Sequence, residues 1–315
     1  MSLTNKIYFK LCLLTPGINV TLIQLRAVEE FMNRTLVSAL VGASLCAMAQ
    51  SALAENTNNN AVSAPNGKVS ITGGWDAATG NSGTADFGGS AAFAVPLGDY
   101  FGFQGDVATG SFGGTTSYSA AGHLFNRDPN AYLIGLVGGG VWTGTSSSYV
   151  IGPEAELYAG NFTLGGAAAY VNNTTAGVTS GNYLASADIK FYPMPNLKLE
   201  LGAATFSGSK TAHLGAEWQV SDTMPLTVST TGMVGDNNLI SANVGLTFYF
   251  GGTSKTLIDR HRHEDPANVS QLLVYYNGAY RYVTVAAGSV VAGTGKNGGT
   301  CPTGYVLNPV GCVPI

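Results

Sequence analysis

Ten ionisable residues of this chain have types and spacings that could do chemistry together: Asp106, His123, Glu154, Glu156, Asp188, Lys190, Lys198, Glu200, His213 and Glu217. Carboxylates interleaved with lysine and histidine can move protons, or line a pore and choose among ions. Glu200 and Glu217, if adjacent strands carry them, would form an acid pair; carboxylates so placed are also commonly solvated or paired with lysine. A Ser/His hydrolase needs a histidine oriented by a third group within reach of a serine. Nothing around His123 or His213 has that form, so no enzyme activity and no cofactor is expected. His261-Arg262-His263-Glu264-Asp265 has the order of a metal site but lacks a third ligand at a sensible spacing. It reads as a solvated charge run in a polar linker, and no metal is expected. Gly293–Gly298 formally fits G-x-G-x-x-G, yet no βαβ unit surrounds it, so a flexible linker is the reading.

The elements that must position these residues are strands. Of 315 residues only 10% are charged, against about 25% in soluble domains, and 43 are glycine. No segment after the leader has the roughly 18 consecutive apolar residues of a membrane helix. A barrel explains both facts, because each strand spends only alternate residues on lipid. The net charge of −4 argues against nucleic acid as a partner. Period-two alternation recurs about every 12–20 residues and predicts about twelve strands. These are 68–75, 87–95, 100–109, 117–125, 131–142, 149–158, 162–171, 183–192, 197–206, 210–220, 226–234 and 238–250. The fifth is the least regular, since both its faces are apolar. Tight Pro, Asp, Asn or Gly turns (96–99, 126–130, 159–161, 193–196, 221–225) alternate with Gly/Ser/Thr-rich loops such as 76–86, 110–116 and 172–181. Turns on one side and loops on the other predict periplasmic turns and extracellular loops. Aromatics cluster near strand ends, as girdles at a membrane interface would.

In the last strand Ile240, Ala242, Val244, Leu246, Phe248 and Phe250 fall on one face, with Ser241, Asn243, Gly245, Thr247 and Tyr249 on the other. The order polar, any, Gly, any, any, aromatic, any, aromatic is met by Asn243, Gly245, Phe248 and Phe250. It resembles the assembly signal in the last strand of Gram-negative outer-membrane β-barrels, and residues 68–250 as a whole resemble a porin-like barrel of that class. The resemblance implies an all-β, antiparallel up-and-down transmembrane barrel. Its partners would be outer-membrane lipid, the barrel-assembly machinery and small hydrophilic solutes crossing by passive diffusion. With the aromatic ladder outward, the ten ionisable residues become pore-lining, among small neighbours such as Gly88, Ser90, Ala92, Gly165, Ala167, Ser186 and Gly202. Twelve acidic residues against five basic ones across 68–250 predict a cation preference. Glu154 and Glu156 should be unpaired, whereas Lys190 should face Glu200. A purely structural role for such cross-strand pairs is equally open.

Outside the barrel, Met32-Asn33-Arg34, an apolar core from Thr35 to Ala49 and Ala52-Leu53-Ala54 form a secretory signal cleaved after Ala54. Residues 1–31 are expected to be a mis-called extension, 32–54 the signal and 55–67 a flexible lead. Residues 251–315 are expected to be a linker and a small tail, which could stay periplasmic, contact the cell wall or a partner, or fold up into the pore. There Asn277-Gly278 between two alternating runs, 271–276 and 279–286, predicts a β-hairpin. Cys301 and Cys312 are expected to form one disulfide in an exported protein. The alternative function is an anchor that presents this tail to the cell wall or to a periplasmic protein.

Overall fold

The computed structural model describes residues 60–79, 81–112, 114–175, 178–254, 256–264, 266–292, 305–308 and 311–314. The extension, the signal and its cleavage site lie outside the described residues, as does Cys301. The disulfide therefore remains an expectation, with Cys312 placed in a short strand.

Twelve antiparallel strands close into one barrel, each paired with its chain neighbours and the first with the last. They are β1 Asn66–Ala78, β2 Asn81–Leu97, β3 Phe101–Phe112, β4 Thr115–Asp128, β5 Tyr132–Thr143 and β6 Ser146–Ala159. The circuit continues with β7 Phe162–Thr175, β8 Val178–Met194, β9 Leu197–Phe206, β10 Ser209–Ser221, β11 Met224–Gly235 and β12 Leu239–Gly251. Closure leaves no edge, so every wall strand can satisfy its backbone groups in lipid. The β12 alternation falls as its residue types dictate: Ile240, Val244, Leu246 and Phe248 point outward, while Ser241, Asn243, Thr247 and Tyr249 are buried inward. Around the outside, aliphatic residues such as Ile71, Leu124, Ile151, Leu201 and Leu214 form an exposed belt. Aromatics border it on both sides: Phe101, Tyr132, Phe162, Trp218 and Phe248 near the turns, Trp75, Tyr118, Trp142, Tyr149, Tyr170 and Tyr183 toward the opposite end. The shortest wall strand has 10 residues, enough to cross a hydrocarbon core at the tilt of a barrel. This surface is built to sit in a membrane.

The expected long loops are corrected. Strand pairing runs up to Ala78↔Asn81, Phe112↔Thr115 and Thr175↔Val178, so the Gly/Ser/Thr stretches are wall rather than loop. Hydroxyl pairs such as Ser117 Oγ with Thr143 Oγ1 (2.6 Å) and Thr174 Oγ1 with Thr179 Oγ1 (3.1 Å) bind this upper, lipid-free part of the wall.

The tail is the larger correction. Residues 271–286 belong to a helix, α2 Val269–Ala292, and the charge run belongs to a short helix, α1 Leu257–His263. Two strands, β13 Tyr305–Asn308 and β14 Gly311–Pro314, pair further on. The barrel wall has already spent its backbone hydrogen bonds, so a segment inside the lumen must satisfy its own, and a helix does that. Local hairpin propensity at Asn277-Gly278 loses to this requirement. Gly278 serves packing instead: a Cβ there would lie 2.5 Å from the Phe112 ring.

Candidate functional site

The site is the lumen, and the chain's own tail occupies it. Gly251 and Gly252 both have φ of +69°, a conformation that suits glycine, and turn the chain back into the barrel mouth as β12 ends. A Cβ on Gly252 would lie 2.1 Å from Glu264 Oε1, so the return path admits no side chain.

At the turn end α1 is locked by polar contacts rather than solvated. Thr256 caps it, its Oγ1 accepting from Asp259 N (3.4 Å). Arg260 is buried, pairs with Glu264 at 3.2 Å, donates to Gln219 Oε1 at 3.3 Å and lies over the Tyr249 ring. Arg262 donates to the Phe162 carbonyl (2.8 Å) and stacks over Tyr158. The His261 nitrogens meet the hydroxyls of Tyr192 (2.9 Å) and Tyr249 (3.3 Å), with Glu217 at 3.6 Å. That is a hydrogen-bonded latch. His263, half-buried here, has its pKa lowered because burial disfavours the imidazolium. Residues 60–67 of the expected flexible lead also pack into this mouth. Ser63 N donates to His263 O (2.7 Å), Arg127 Nη1 donates to Ala61 O (3.2 Å), and Val62 packs with Phe125, Leu133 and Tyr158.

Above the latch, α2 begins at a clamp. Asn268 Oδ1 accepts from Gln271 N (2.9 Å), an N-cap contact. The Asp106 carboxylate accepts from Ser270 N (3.1 Å), while Ser119 Oγ donates to Ser270 O (2.7 Å). A carboxylate suits the first turn of a helix, where N–H groups are unpaired. His123, fully buried, holds this clamp: its Nε2 lies 3.2 Å from Asp106 Oδ1 and its Nδ1 2.9 Å from Glu154 Oε1. Higher still, Leu273 and Tyr276 pack with Val141, Val150, Val171, Leu184 and Phe206, and Val269, Leu272 and Tyr280 flank them. Such burial contributes about 1.5–3 kcal/mol per large side chain. It also explains the two apolar faces of β5: Ile134 and Leu136 meet lipid, whereas Leu133 packs on the lead and Val141 on the helix.

All ten residues expected to line a pore face inward, but in two groups. Asp106, His123 and Glu154 belong to the clamp. The others form a chain of ion pairs along β6, β8, β9 and β10. Lys190 pairs with Glu156 (2.7 Å) and Asp188 (3.3 Å), and Lys198 with Glu200 (3.0 Å) and Glu217 (3.1 Å). His213 Nε2 meets Glu200 at 3.2 Å. Glu154 and Glu156 are thus both paired, against expectation. Lys190 sits opposite Glu200 in register, as alternation predicts, yet its ion pairs go to β6 and to its own strand. Lys198 lies between Glu200 and Glu217, which makes that pair an ion-pair ladder rather than an acid dyad. Of the assembly-signal residues, Asn243 and Gly245 face inward and Phe248 faces lipid, all on the strand that closes the barrel.

Sequence reading did not find Tyr192, Tyr249, Arg260, Glu264, Ser270 or Gly278 as functional positions. One signal was present. Val269, Leu273, Tyr276 and Tyr280 recur at helical spacing of four, three and four.

The helix does not fill the lumen evenly. It lies closest to β3, β4 and β5. On the other side a cavity of about 250 Å³ remains, lined by the ion-pair ladder, by Lys68, Asn243 and Tyr249, and by α2 itself.

No protein-family model matches the sequence, and no curated protein matches it. Solved structures similar to it include outer-membrane proteins. An outer membrane channel from Pseudomonas putida F1 has a TM-score of 0.44 at 10% identity, covering 62% of this chain and 100% of the channel. A KdgM porin has 0.42 at 9%, covering 58% and 99%. The translocator domain of the autotransporter NalP from Neisseria meningitidis has 0.38 at 13%, covering 72% and 98%. Likeness at that level stops at barrel architecture and assigns this chain no substrate.

Proposed function

We propose that this protein is an outer-membrane channel for small hydrophilic solutes whose bore is set by its own C-terminal helix. The observation that carries this reading is the eccentric seat of α2, which leaves a cavity of about 250 Å³ in the polar half of the lumen. The apolar belt and closed wall supply the membrane setting. Charge along the passage is nearly balanced: Glu156, Asp188, Glu200 and Glu217 stand against Lys68, Lys190 and Lys198. The twelve-to-five excess counted over the strands therefore does not carry over into the bore, and the cation preference should be slight. The anchor alternative loses residues 266–280, which pack inside the lumen rather than on a periplasmic partner.

The test is ion selectivity in planar bilayers. Wild-type protein should give small, weakly cation-selective currents. Lys198→Met removes one cation from between two carboxylates and should raise the cation preference at low salt. The gain should fade as salt rises, because fixed charge is screened beyond about 10 Å at 0.1 M. Unchanged selectivity in a folded, conducting Lys198→Met barrel would mean that ions do not pass along this ladder.

A further inference from the structure

Two strands record the course of the tail. Along β1, Lys68 Nζ donates to Pro266 O (3.3 Å), Thr72 Oγ1 accepts from Tyr275 (3.4 Å), and Ala78 clusters with Ala279. Along β3, Gln104 meets Pro266 and Asp106 meets Ser270. Higher on β3, a Cβ on Gly110 would lie 3.2 Å from Val274 Cγ1, and Phe112 meets Gly278. Both strands start at the turn end, so the tail climbs steadily from Pro266 there to Ala279 at the last residue of β1. From Ala279 the helix continues to Ala292, which adds about 20 Å at 1.5 Å per residue. It passes the connection 236–238 between β11 and β12, and β14 packs against it. A barrel with an even number of strands has both wall ends at the turn end, the periplasmic side from which it inserts. The opposite end faces the exterior.

We propose that this barrel carries its own C-terminal segment across the membrane. The end of α2 and the β13–β14 strands are displayed outside the cell on a helix that threads the lumen. The composition suits such a passage: from Arg281 to Ile315 the only charged residues are Arg281 and Lys296, and most of the rest are small. The expected periplasmic tail is thereby placed on the other side of the membrane. This inference rests on the course of the helix and holds whether or not solutes pass beside it.

An epitope tag placed after Ile315 tests it in intact Gram-negative cells. The tag should bind antibody without permeabilisation, as a tag in the exposed 207–208 connection does and a tag before Ala61 does not. Untagged protein gives an independent readout, since external trypsin should cut after Lys296 while the barrel stays heat-modifiable on a gel. Gly278→Trp, which cannot pass Phe112, should abolish surface labelling and leave the tag accessible only after permeabilisation. A wild-type tag reached only in permeabilised cells, with Lys296 protected from external trypsin, would overturn the proposal. So would a Gly278→Trp barrel that still displays its tag.

Discussion

Deleting Thr253–Ile315 raises single-channel conductance severalfold. Twelve strands about 4.8 Å apart, tilted by about 40°, close at a backbone diameter of about 24 Å. A helix with its side chains is about 10–12 Å across, and here it stands where wall side chains such as Ser90, Ser119 and Gly110 are small. Removing it opens the half-lumen along β2 to β5 and frees Asp106, His123 and Glu154 to water. The barrel itself should survive, because none of its twelve strand pairings involves the tail. Cation preference should rise with conductance, since Asp106 loses the helix N-terminus it now accepts from. Planar-bilayer recording of the truncated protein beside the full chain checks this. Equal conductance in the two would mean that the helix does not set the bore.

Gly152→Val prevents formation of the folded barrel. A Cβ at this position would lie 2.0 Å from Ala168 O and 2.5 Å from Ala169 Cα, both backbone atoms of β7 that cannot swing aside as a side chain could. The site is also where β6 and β7 lose register contact: pairing stops at Ile151↔Tyr170 and resumes at Glu154↔Ala167, with Pro153, which has no N–H, in the gap. A branched side chain must push the strands apart at a point already short of hydrogen bonds. In lipid the freed groups find no water. The cost should exceed about 4 kcal/mol, the range reserved for drastic core changes. Heat-modifiable migration should be lost in Gly152→Val and kept in Gly105→Ala, where only Phe103 Cε1 at 3.8 Å is near. A folded Gly152→Val barrel would show that the two strands can part without penalty.

The wall was legible because lipid outside and polar groups inside impose a strict period of two, and a slip of one residue would turn Leu246 inward and Asn243 outward. All twelve strands were found on that basis, and every expected pore-lining residue faces inward. Their ends were misjudged above the belt. There lipid no longer demands alternation, and Thr/Ser/Gly pairing looks like loop composition. Pairing partners were half legible. Alternation sets Lys190 opposite Glu200, but a lysine reaches several neighbours, and its choice of Glu156 depends on β6 lying two strands away in the circuit. The tail was misread because Asn277-Gly278 was judged by local propensity. Its fold is decided by a neighbour more than a hundred residues earlier, the Phe112 ring against which only glycine fits. Likewise His261–Glu264 looked like a solvated run because nothing local reveals that Tyr192, Gln219 and Tyr249 wait to receive it.

The central claim, that α2 lies inside the barrel along β3, is tested most directly by a cross-link between them. In a chain whose natural cysteines are replaced by serine, Gly110→Cys with Val274→Cys brings two thiols within disulfide reach, given the 3.2 Å approach of Val274 to the Gly110 Cβ position. Ser90→Cys with Ala108→Cys, paired between β2 and β3, serves as the wall control. The account predicts that both pairs oxidise in native outer membranes, and that the helix-to-wall cross-link leaves wild-type conductance in place. Oxidation of the wall pair alone, with the thiols at 110 and 274 both free, would contradict it.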